Sequence, residues 1–182
     1  MKKMKILLAA VLTISAVLGS AIPSSAAATD VKIEVKATTM DNVSVTVPTV
    51  LPIVFNADGT NTVPTNWTIE NKSTIAGIHL SEISMNANNS GWKLLAESQN
   101  VKELGVDTKS IKFSIGKAGS LKLVAPTSGT EQAEGKATFG STEISIPSGK
   151  TQVLSCGVER GAFTKTEASA KAFDMVLTFN FN

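Results

Sequence analysis

In 182 residues the chain carries one cysteine, one histidine, one arginine and no tyrosine, and aromatic side chains make up only 5% of it. Each shortage excludes something. With Cys156 as the only thiol, no intramolecular disulfide can form, so the fold must be held by its core. Cys156 lies in Val153-Leu154-Ser155-Cys156-Gly157-Val158, where a small buried hydrophobe is expected and a free thiol for intermolecular pairing is the alternative. His79 has no second histidine and no cysteine partner, which leaves neither a zinc set nor a Ser/His or Cys/His nucleophile pair. Few aromatics mean few faces for stacking on sugars. A glycosidase-like carboxylate pair, which would have to meet across space, is therefore not favoured. No enzyme activity, metal or cofactor is expected.

Basic runs are also missing beyond the first five residues. Setting aside Lys2, Lys3 and Lys5 reduces 17 basic residues to 14 against 15 acidic ones, a formal balance of −1. The electrostatic footprint of nucleic-acid binding is absent, and nucleic acid is not an expected partner.

What is present begins with an address. Those three lysines precede an apolar run from Ile6 to about Ile22, and Pro23 and two small-x-small sites follow, Ser24-Ser25-Ala26 and Ala26-Ala27-Ala28. This is the pattern of a secretory signal peptide over residues 1–28, cleaved after Ala28. Thr13, Ser15, Gly19 and Ser20 interrupt the run, which argues against a retained membrane span. Ala16-Val17-Leu18-Gly19-Ser20 has serine where a lipobox needs cysteine, and Phe179-Asn180-Phe181-Asn182 carries no sorting or lipidation signal. A secreted protein, extracellular or on the cell wall and out of the membrane after signal cleavage, is expected. Its attachment to a cell would be noncovalent.

From residue 29 onward the dominant pattern is period-two alternation in short runs broken by Gly, Pro, Asn, Ser and Thr. Val31, Ile33 and Val35 alternate with lysine and glutamate; Val43, Val45 and Val47 lead to Pro48. Ile111, Phe113 and Ile115 form another such set, and Met175, Leu177, Phe179 and Phe181 a last one. Further strands are expected at 66–71, 78–83, 91–96, 121–124, 137–139, around Ile144–Ile146 and at 151–158. Residues 29–182 should then form one all-β domain, a single β-sandwich of about ten strands, immunoglobulin-like or jelly-roll. Pro48 and Pro52 place Thr49-Val50-Leu51 at a sheet edge or corner, since proline cannot donate to a ladder. One short helical connector is expected over Thr164–Ala172, with Thr164 as cap and Glu167 three residues on.

Several residues stand out as candidates. Asn56-Ala57-Asp58-Gly59-Thr60-Asn61 sets oxygen side chains around a glycine as calcium loops do, but no glutamate closes it, and a plain turn is preferred. Arg160, alone among lysines, suggests a contact that needs a guanidinium, either with a ligand or with a carboxylate or loop carbonyls of its own fold. Trp92 and Leu94, two apart in an apparent strand, point to one face. A layer shared with Phe179 and Phe181 would make them core; the alternative is a ligand surface.

Ser90-Gly91-Trp92-Lys93-Leu94 and the C-terminal Leu177-Thr178-Phe179-Asn180-Phe181 together resemble the WxL-domain proteins of low-GC Gram-positive bacteria. These have a proximal Trp-x-Leu motif and a second one near the C-terminus; here the first matches at Trp92 and Leu94, and phenylalanine occupies both key positions of the second, Phe179 and Phe181. The resemblance implies noncovalent binding to the cell wall, with peptidoglycan as the ligand, or contact with other surface proteins. A second expectation comes from the start of the domain. Val31, Ile33 and Val35 lie in a terminal alternating strand, which is what donation to a second copy needs in a matrix or fibre subunit that self-associates by β-strand addition. The same sequence also fits an ordinary first strand.

Overall fold

The computed structural model describes residues 29–38, 43–56, 58–164 and 170–182. The expected leader at 1–28, and residues 165–169 of the expected helical connector, lie outside them. In chain order the strands are β1 (Thr29–Thr38), β2 (Val45–Thr46), β3 (Val50–Phe55), β4 (Asn61–Thr62), β5 (Trp67–Asn71), β6 (Ile78–Asn86), β7 (Lys93–Leu95) and β8 (Ser110–Lys117). They continue as β9 (Ser120–Leu123), β10 (Ala125–Pro126), β11 (Glu131–Gln132), β12 (Glu134–Thr138), β13 (Ser145–Ile146), β14 (Thr151–Arg160) and β15 (Ala170–Phe181). A single 3-10 turn at Val101–Glu103 is the one helical element among the described residues, capped by the Asn100 side chain.

The chain is all-β, in two sheets packed face to face. One runs β10-β12-β6-β15-β1-β3-β4 with β13 also on β6; the other runs β11-β7-β8-β14-β5-β2 with β9 also on β8. The alternation seen in sequence sets their inner faces. Val31, Ile33 and Val35 are buried while Lys32, Glu34 and Lys36 are exposed. On β15, Met175, Leu177 and Phe179 are buried in the same way. The opposing sheet supplies Ile69, Phe113, Ile115 and Leu154, each fully buried.

β1 is not an edge strand. It runs parallel to β15, with Ile33 opposite Phe173 and Met175 opposite Val35, and antiparallel to β3, with Ile33 opposite Leu51. A bulge falls between Lys32 and Ile33 on the β15 side. Pro52 sits on β3 opposite Lys32, and β3 is paired on its other side only at Val54 and Phe55. Its missing donor therefore falls where the ladder has already ended, as the edge assignment of this segment requires. β14 runs the length of the second sheet, pairing β5 through Thr151–Leu154 and β8 through Ser155–Arg160.

The expected connector helix is corrected in part: its last residues, Ala170–Ala172, are the start of β15. Alanine is a strong helix former, but intrinsic propensity is small beside tertiary context, and pairing of β15 with β1 outweighs it here.

Candidate functional site

The Trp92 motif sits where the chain crosses from the first sheet to the second. β6 ends at Asn86, and Asn88, Asn89 and Gly91 take positive φ (43°, 66° and 81°) to turn the chain toward β7. Asparagine tolerates the left-handed region better than most residues, and glycine freely. The turn is held by Ser90, whose hydroxyl donates to the Ala172 carbonyl of β15 at 2.7 Å, and by the Asn86 side chain, which accepts from the Asn88 N–H at 2.8 Å.

Trp92 is 3% exposed. Its indole stacks on Phe163 (5.9 Å between centroids, 23°) and meets Phe55 (5.8 Å) and Phe173 (6.5 Å) at a tilt. Arg160 closes this cluster from outside. Its guanidinium lies 4.9 Å from the Phe55 ring centre and 5.5 Å from that of Phe163. Nε donates to Asn61 Oδ1 at 2.8 Å, Nη2 to the Asn56 carbonyl at 2.9 Å and Nη1 to the Gly161 carbonyl at 2.9 Å. The lone arginine thus bonds loop carbonyls of its own fold and ties the β3–β4 turn to the end of β14. That turn is built by Asp58, which accepts from both the N–H (2.9 Å) and the hydroxyl (2.6 Å) of Thr60, with Gly59 at φ 87°. These bonds hold the Asp58 carboxyl below its ordinary range. The arrangement is that of a turn.

Leu94 is also buried, tight against Gly135 of β12: a Cβ there would meet Leu94 Cδ1 at 2.7 Å and the Ala125 carbonyl at 2.6 Å. The second pair goes elsewhere. Phe179 is buried opposite Leu80. Phe181, on the same face of β15, is 43% exposed because the strand runs past the end of the core. Trp92 meets β15 at Phe173, six residues from Phe179 and so about 20 Å along the strand. Trp92, Leu94 and Phe179 lie in one buried core and Phe181 does not; the ring partners of Trp92 are Phe55, Phe163 and Phe173. Nothing in the sequence spacing marks those three, since they come from three separate segments.

His79 lies on the outer side of β6, where its Nδ1 is 3.2 Å from Asn182 Oδ1. Cys156 is buried, which pushes its thiol up to about 12. Val31, Ile33 and Val35 occupy the middle of the first sheet.

A feature that sequence reasoning missed is an open groove of about 720 Å³ on the outer face of the second sheet. Gly157 lies opposite Ser114 across β14 and β8, which leaves a floor of small residues. Leu123 and Leu121 of β9 sit opposite Ser114 and Gly116 and form one wall. At one end Lys112 donates to the Glu97 carbonyl at 2.8 Å and lies 3.9 Å from the Glu159 carboxylate. The arrangement offers a leucine wall and both signs of charge to an extended polymer. It depends on the register of three strands, which composition does not reveal.

No family model, no curated protein and no solved structure matches the chain.

Proposed function

We propose that this is an exported, non-enzymatic protein of the Gram-positive cell surface, WxL-like, that binds the cell wall noncovalently. The reading takes the domain as an immunoglobulin-like or jelly-roll sandwich released from a leader at 1–28, with peptidoglycan as the ligand. The groove over Ser114 and Gly157 is the observation that carries it. Peptidoglycan stems present amines and carboxylates along an extended chain, and Lys112, Glu97 and Glu159 offer complementary charges at the end of a leucine-walled trough. In this reading the Trp92 motif builds the domain and the groove makes the contact.

The test is cosedimentation of the chain from Thr29 with purified Gram-positive walls. Leu121→Arg, at an exposed wall position, should weaken binding at least about tenfold, the change that 1.4 kcal/mol makes. Walls that bind this variant as they bind the parent would remove the groove from the proposal.

A second reading is a matrix or fibre subunit, in which the first strand of the domain, paired along both sides in a single copy as an ordinary first strand is, fills the same place in a neighbouring copy.

A further inference from the structure

The strands that end both sheets are short, although β3 at Val50–Ile53 and the four-residue β9 are each paired on one side only. β4 and β10 end the first sheet, β2 and β11 the second, and each is two residues long. Two-residue ladders give an incoming strand almost nothing to pair with, which is how soluble β proteins protect their edges. Addition of a strand at an edge, the form of self-association expected from the sequence, has no suitable template among these four.

The middle of the first sheet is different. β1 fills the slot between β15 and β3, yet it shares a hairpin with neither. β15 is at the far end of the sequence. The route from β1 to β3 passes through β2, which pairs β5 in the other sheet. β1 is thus a single strand held by its ladders, by Val31, Ile33 and Val35 in the core, and by an ion pair from Glu34 to Lys171 at 2.6 Å. Withdrawing it breaks no hairpin among the described residues. It would uncover apolar side chains of β3 and β15, such as Leu51 and Phe173, and two unpaired strand edges. Only an equivalent strand restores them.

We infer that β1 is exchangeable, and that the slot between β15 and β3 takes the β1 of a second copy of this chain. The inference deepens the matrix-subunit reading and rests on it: assembly proceeds by replacement of a strand within the sheet. Exchange of identical elements needs no new interface, because every contact already exists in the single copy. The register is fixed as well. A one-residue slip would turn Lys32, Glu34 and Lys36 inward, and the bulge at Lys32/Ile33 admits one alignment on β15. Donation of β1 from each copy to the next, rather than exchange within a pair, gives an open head-to-tail chain of subunits.

Glu34 and Val50 face each other across β1 and β3, both exposed. Because the Val35 N–H bonds the Thr49 carbonyl (2.9 Å), the 34/50 pair is a non-hydrogen-bonded one. Such pairs bring Cα atoms to about 4.5 Å, within disulfide range. Chains carrying Glu34→Cys and chains carrying Val50→Cys, each with Cys156→Ala to remove the native thiol, are refolded together at high concentration, oxidised and sized. Interchain 34–50 disulfides in the assembled fractions are expected. Chains carrying both cysteines should close the bond internally and lose assembly, and reduction should restore it. Assemblies that lack the 34–50 bond would overturn strand exchange while leaving the subunit reading in place. A mixture that stays monomeric without interchain bonds would overturn both. Wall binding is scored separately and is unaffected by either result.

Discussion

Replacing Trp92 by alanine removes an indole that is 3% exposed and in contact with three aromatic rings from β3, β15 and the segment after β14. The groups it leaves behind cannot close the space easily. Phe55 is held under Arg160, and Phe173 is fixed by its pairing with Ile33 of β1. Burial of this kind puts the loss at about 3–5 kcal/mol, the upper range for large-to-small changes at aromatic core sites. A domain of this size has about 5–15 kcal/mol in total, so the variant should remain folded but close to its limit. With a urea slope of about 2 kcal/mol per molar, the unfolding midpoint should fall by roughly 1.5–2.5 M. Phe181→Ala is the control: at 43% exposure it should change stability by no more than about 0.5 kcal/mol. A Trp92→Ala protein with an unchanged midpoint but no affinity for walls would refute the reasoning, because it would make the indole a ligand contact.

Arg160→Lys should cost about 1–3 kcal/mol in the same assay, since an ammonium cannot reach Asn61, Asn56 and Gly161 together or stack on Phe55 and Phe163. Stability should also depend on Glu131, whose carboxyl is held below its ordinary value of 4.5 by the Ser110 hydroxyl and then by Lys93. A carboxyl lowered by folding contributes fully above its unfolded value and loses that contribution as pH falls through the folded one. Glu131→Gln should therefore flatten the fall of the urea midpoint below about pH 4.5, and identical slopes in parent and variant would contradict this. Cys156, with its thiol pushed up to about 12 by burial, should label with a thiol reagent only when the protein unfolds, so that labelling rate follows the unfolding rate.

Strand positions were legible at Val31–Val35 and Met175–Phe179, whereas the equally long alternation at Val43–Val47 forms only the two-residue β2 with its valines half-buried. One face of each of the first two is buried, so selection for the core is written directly in the sequence. Among the two-residue strands, β2 and β13 lie inside the expected runs at Val43–Val47 and Ile144–Ile146, whereas β4, β10 and β11 left no trace, since a pair of residues has no period. Pairing was not legible at all. That β1 would lie parallel to β15, some 140 positions away by number, depends on the whole sheet being assembled. The site divides in the same way. Trp92 and Leu94 could be placed on one face by spacing, and burial of both follows from that face being inward. Their aromatic neighbours could not, because Phe55, Phe163 and Phe173 meet only in space. The groove floor of Ser114 and Gly157 looked like ordinary strand residues until register set them side by side.

Because β1 and β15 are adjacent and parallel, the start of the first strand and the end of the last lie at opposite ends of the same ladder. A pull that separates them acts along the strands and loads the hydrogen bonds from Val31 to Thr38 in shear, all at once. Antiparallel terminal strands would instead peel apart one bond at a time. A molecule held beyond one of these strands and tugged beyond the other thus meets its greatest mechanical resistance in the β1–β15 pair.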